Sequence, residues 1–196
     1  MSLSTLAAPA SHEIEVKHSR FRAIAAPVDD AGQALAWIRA NGAIDATHNC
    51  WAYRVGADYR FNDDGEPGGT AGRPILQAIE GQRMDAIIVV VTRWYGGIKL
   101  GAGGLVRAYG GTAAECLRRA ERIAIVATKR LGLRCDFAEL GLLKSRLKDV
   151  QAEIEHEVFG TDGVELQLRL PDSSVDEAVL LVSDISRGRS VAKRLD

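Results

Sequence analysis

Phe61 to Pro74, FNDDGEPGGTAGRP, holds three carboxylates, four glycines and two prolines in fourteen residues. Asp63, Asp64 and Glu66 suit three kinds of chemistry. Together they can offer oxygens to one Mg²⁺ that keeps its waters. Singly, one of them can move a proton, or they can accept the N–H groups of their own tight loop. The Asp/Asn spacing and distal Glu of an EF-hand loop are absent. Asp64-Gly65 makes a turn unaided, Pro67 stiffens the exit, Gly68 and Gly69 relax the backbone, and Thr70 is placed to cap a following helix. A rigid structural loop accounts for most of these residues, and the metal reading stands beside it.

A second segment, RWYGGIKLGAGGLVRAYGG, runs from Arg93 to Gly111. It follows an apolar strand pattern and enters a helix. Gly96, Gly97, Gly101, Gly103 and Gly104 can therefore turn backbone N–H groups toward an anion, and the helix N-terminus adds partial positive charge. Arg93, Lys99 and Arg107 supply cations, while Trp94 and Tyr95 offer rings for stacking on bases. The segment is not a Walker A loop, since no Gly-Lys-Ser/Thr occurs, and it lacks the last glycine of the dinucleotide fingerprint. Glycine turns between strand and helix also arise for packing alone.

Two weaker sites remain. His48 and Cys50 share a strand face, but neighbouring side chains on one face point side by side, and a buried thiol is usually inert. Cys116 falls on an apolar helix face and reads as core. Arg118, Arg119 and Arg122 form a basic helix face, which is more often solvated than bound.

The elements that must position these residues follow from periodicity. Residues 12–28 read as one or two strands interrupted at Lys17–Arg20, and 29–42 as a helix closed by Gly42. His48 to Val55 is a strand with Trp51, Tyr53 and Val55 on one face and His48, Cys50 and Ala52 on the other. A short helix starts at Pro74, and 85–94 is a central strand with apolar residues on both faces. A long helix from Leu105 to Ala120 carries the costly Gly110 and Gly111, which imply close packing, and a strand is expected at 122–128. From Lys129 the order is strand 130–136, helix 137–149, strands 150–158 and 163–170, helix 172–185 and strand 188–194. This βαββαβ order is the ferredoxin-like arrangement, which implies no single function.

Twenty-five Lys plus Arg against 26 Asp plus Glu mean that nucleic-acid binding requires a local patch. Three scattered cysteines without a CxxC argue against a disulfide framework or zinc knuckle. The N-terminus has no basic start followed by an apolar core, and no stretch is long and apolar enough to span a membrane. A cytoplasmic protein is expected, with residues 1 to about 10 loose.

The two glycine motifs, with KHSRF and ATHNC before them in the same order, resemble the Impact/YigZ family over nearly the whole chain. The resemblance implies an α+β protein of two domains. Residues 11–128 would be an Impact N-terminal domain, with the βαβ fold of a ribosomal-protein domain and of galactokinase-type kinases. Residues 129–196 would be a ferredoxin-like domain similar to the last domain of elongation factor G. Eukaryotic Impact proteins regulate translation, so RNA, the ribosome or a translation-related protein becomes the expected partner. No cofactor or resident metal is implied. The expected binding surface joins Asp63, Asp64, Glu66, Thr70 and Arg73 to Arg93, Trp94, Tyr95, Gly96, Gly97, Lys99, Gly101, Gly103, Gly104 and Arg107. Asp63, Asp64 and Glu66 would face Arg93 and Lys99 across it. The competing reading is an enzyme acting on a small phosphorylated compound, with one of the three carboxylates as Mg²⁺ ligand or base.

Overall fold

The computed structural model describes residues 3–195. The chain divides into two compact units, with the boundary between Ile125 and Val126. The first contains β1 (Ser4–Leu6), β2 (Ala10–Val16), β3 (Ser19–Pro27), α1 (Ala31–Asn41), β4 (His48–Val55), β5 (Asp58–Asn62), α2 (Gly72–Gly81), β6 (Ile87–Trp94), α3 (Ala102–Arg119) and β7 (Arg122–Ala124). Five strands form an antiparallel sheet in the order β2-β3-β6-β4-β5. Because β3 and β4 both run antiparallel to β6, they are parallel to each other, and α1 joins them as a split βαβ crossover.

β6 is central, and Ile87 to Arg93 are buried on both of its faces, as the uninterrupted apolar run requires. On one face Phe21, Ala23, Cys50, Ala52, Val89 and Val91 pack against α2 and α3. On the other, Tyr53, Ile88 and Val90 pack against α1. Period-two alternation thus sends each strand's residues to two separate cores. Gly110 lets α3 approach α2, since a Cβ there would stand 3.3 Å from that of Pro74, whereas Gly111 faces open space.

Two expectations are corrected, and one strand is added to those expected. Residues 4–6 are not loose: β1 pairs with β7, and the Leu6 side chain is fully buried. Residues 1 and 2 lie outside the described residues. β5 was hidden because all five of its residues are exposed on an edge strand, leaving no apolar alternation to read. The last strand is only Lys193–Arg194, far shorter than 188–194.

The second unit contains β8 (Thr128–Cys135), α4 (Phe137–Leu147), β9 (Glu153–Phe159), β10 (Val164–Pro171), α5 (Val175–Ser186) and β11 (Lys193–Arg194). Its antiparallel sheet has the order β11-β8-β10-β9, which is the ferredoxin-like topology. Leu131, Leu133, Leu166, Leu168 and Leu170 bury one sheet face against α4 and α5. Asp136 and Glu139 form a capping box that starts α4. Among the described residues no helix is long and apolar enough to cross a membrane.

Candidate functional site

The four motifs singled out in the sequence meet around one buried arginine of β6. Arg93 is 5% exposed, and its Nη1 donates to Glu66 Oε1 at 2.6 Å. The same oxygen accepts from the Tyr109 hydroxyl on α3 at 2.7 Å. Nη2 reaches Ser19 Oγ at 3.4 Å, and the guanidinium lies 5.2 Å from the Tyr95 ring and 5.5 Å from that of Phe21. Among the described residues Nε has no hydrogen-bond partner. His48 Nε2 stands 3.9 Å from Glu66 Oε1, while Nδ1 contacts the Asp64 carbonyl at 2.7 Å. A carbonyl oxygen only accepts, so Nδ1 carries the proton there.

The loop between β5 and α2 is folded by its own carboxylates. Asp64 and Gly65 sit at φ 43° and 85°, and Glu66 N–H donates to the Asp63 carbonyl at 2.9 Å, which defines a tight turn with two left-handed residues. Asp63 accepts from the N–H groups of Gly69, Ala71 and Gly72 at 2.8–2.9 Å. It therefore caps α2 from outside the helix. Thr70 does not take that role, because its hydroxyl donates to the Pro67 carbonyl at 2.6 Å. Asp64 accepts from Asn49 N–H at 2.6 Å and ties the loop to β4. Gly72 is required by close approach: a Cβ would lie 2.7 Å from the Asn62 backbone.

The three carboxylates thus divide. Asp63 and Asp64 satisfy backbone N–H groups, and Glu66 pairs with Arg93. The expected confrontation with basic residues holds for Glu66 alone. Among the described residues no group of three His, Cys, Asp or Glu side chains is arranged to hold a metal ion.

The second motif divides as well. Arg93 is buried by its pairing with Glu66, so it is not among the exposed cations of the expected surface. Trp94 is half-buried, with Arg20 lying 3.9 Å over its ring and Nε1 donating to Asp45 at 3.0 Å. One stacking face of Trp94 is therefore already covered. Tyr95, Gly97, Ile98, Lys99, Gly101, Gly103 and Arg107 are exposed, and Gly96 and Gly104 are half-buried. α3 begins at Gly101, φ 70°, without a side-chain cap or an acidic residue in its first turn. Arg107 folds back along that turn, its Nη1 3.5 Å from where a Gly103 Cβ would stand. Arg73 is exposed in the first turn of α2.

Ser19 and Tyr109 belong to the site but escape a reading by pattern. Tyr109 sits on the apolar face of α3, and only its hydroxyl, which needs a partner once buried, signals more than packing. Ser19 is fully buried and accepts from Gly96 N–H at 3.2 Å, so it pins the start of the glycine loop.

Cys50 is not an activated nucleophile. Burial is the main cause that pushes its thiol from about 9 up to about 12, with Glu66, Asp64 and Asp63 adding to this and a Tyr109 hydrogen bond opposing it. Cys116 is raised to about 11 by burial alone. The native chain is therefore expected to resist thiol labelling at about pH 8, with reaction following unfolding, and rapid native labelling would contradict this. Between about pH 9 and 12 the unfolded Cys50 thiol ionises while the folded one keeps its proton. The folded state then binds more protons, so this group's contribution to stability falls as pH rises through that window.

The fold and site define a two-unit α+β protein whose first unit frames a glycine-rich loop with a buried Arg–Glu–Tyr cluster. The model of the Impact N-terminal domain matches residues 17–117, and that of a domain of unknown function, DUF1949, matches residues 133–189. The chain is 46% identical over 175 residues to the Thermus thermophilus IMPACT family member in the pol 5′ region, covering 89% of this chain and 97% of that one. It is 36% identical to the IMPACT family member YigZ of Escherichia coli, covering 93% and 92%. Rat Protein IMPACT is 39% identical over 95 residues, which cover 43% of this chain but 29% of that protein. A crystal structure of a hypothetical protein superposes with a TM-score of 0.77 at 34% identity, covering 100% of this chain and 98% of that one. The chain belongs to the Impact family.

Proposed function

We propose that the chain is a cytosolic binding protein acting in the regulation of translation, and that it presents the Tyr95–Arg107 segment to an anionic surface of the translation machinery. One observation carries this reading. The cations Lys99 and Arg107 flank an exposed glycine loop and an uncapped helix start, and that loop stands on a buried, hydrogen-bonded frame. A preorganised surface loses little entropy on binding. Family membership supports the link to translation through the eukaryotic relatives. The competing enzyme reading finds its carboxylates already engaged, Asp63 and Asp64 with backbone N–H groups and Glu66 with Arg93 and Tyr109.

Co-sedimentation with ribosomes tests the proposal. The chain is expected to pellet with them at about 0.05 M salt and to be released by about 0.3 M, as screening weakens exposed charge contacts. Absence of pelleting, or pelleting insensitive to salt, would count against it.

A further inference from the structure

Ser19, Arg20 and Phe21 of the KHSRF motif contact Gly96, Trp94 and Arg93, and His18 abuts the glycine loop directly. A Cβ on Gly96 would lie 1.9 Å from the His18 carbonyl oxygen, and Gly96 N–H donates to Ser19 Oγ. The tip of the β2–β3 hairpin and the loop after β6 are therefore one packed body. Lys17 and His18 form the two-residue turn, at φ 47° and 63°, and both are exposed. Asn and Gly are the residues such turns favour. Left-handed backbone disfavours side chains that carry a Cβ. This hairpin carries the cation Lys17 where the turn favours asparagine or glycine, and breaches of local rules of this kind concentrate at functional sites.

We infer that the hairpin tip is the third element of the binding surface, and that the occupant is an acidic protein segment with an apolar anchor. The inference rests on the function proposed above and names its partner class. Two features choose protein over nucleic acid. The glycine loop that carries Lys99 and meets the hairpin tip at Gly96 also exposes Tyr95 at 44% and Ile98 at 42%, apolar side chains suited to an anchor residue. Two groups that would serve RNA are engaged within the chain: Arg93 is buried against Glu66, and one face of Trp94 is covered by Arg20.

The test places p-benzoylphenylalanine at position 98 of the full chain in cells, followed by irradiation and mass analysis of the adduct. The expected product is protease-sensitive and nuclease-resistant, its cross-linked peptide carries net negative charge, and its yield falls about tenfold in Lys17→Glu/Lys99→Glu. The unfolding midpoint of that variant, expected to be unchanged, separates lost contact from lost fold. A nuclease-sensitive adduct, a neutral or basic peptide, or a yield indifferent to both lysines would overturn the inference while leaving a binding surface in place. No adduct at position 98 would overturn the inference and the proposed surface together.

Discussion

Replacing Glu66 by alanine is expected to destabilise the first unit by about 3–5 kcal/mol, because it strands a buried guanidinium. Arg93 and Glu66 expose only 6% and 4% of their side chains, and water has little access to replace the lost carboxylate. Tyr109 loses its acceptor at the same stroke, and among the described residues Arg93 Nε already lacks a partner. Against a whole-domain stability of about 5–15 kcal/mol the loss is severe. Glu66→Gln keeps the shape and one acceptor but not the charge, so an intermediate loss is expected. The pair Glu66→Leu with Arg93→Met should recover part of the deficit, since removing both charges also removes the cost of burying either. Urea unfolding of the full chain, followed by tryptophan fluorescence, separates the three cases. A loss below about 1 kcal/mol for Glu66→Ala would mean that the pair is not the frame of the site.

Gly96→Ala should be nearly as damaging, for a steric reason. Its Cβ would overlap the His18 carbonyl oxygen at 1.9 Å and carbon at 2.1 Å, and both are backbone atoms that no rotamer change can move. Either the hairpin tip or the glycine loop must leave, breaking the Gly96–Ser19 hydrogen bond and opening the cover over Arg93. A loss of roughly 3 kcal/mol is expected, the upper end for overpacking. Gly97→Ala is the control. Its residue has open space around it and suffers only from a φ of 86°, so a smaller loss of about 1 kcal/mol is expected. Equal unfolding midpoints for the two variants would show that the interlock does not exist.

The elements that build the site were legible where burial imposed a period. The two-sided apolar run of β6, the face alternation of β4 and the ferredoxin-like order after Thr128 all follow from residues that must enter a core. β1 and β5 were not, because one is three residues long and the other is wholly exposed, so neither imposes a readable pattern. Within the site, spacing identified the right loops but could not assign tasks inside them. Asp63, Asp64 and Glu66 look alike in sequence. Only tertiary contact makes the first a helix cap, the second a tie to β4 and the third the partner of an arginine 27 residues away. Arg93 and Lys99 likewise read as equivalent cations, yet one is the buried support and the other the exposed contact.

On the function proposed above, the exposed cations of this frame bind an anionic surface of the translation machinery. Lys99→Glu/Arg107→Glu tests it most directly, because both side chains are exposed and neither takes part in the buried cluster. An unchanged unfolding midpoint is expected, with loss of ribosome co-sedimentation at about 0.05 M salt, as two attractions become two repulsions. Sedimentation of the variant equal to that of the parent chain would contradict it.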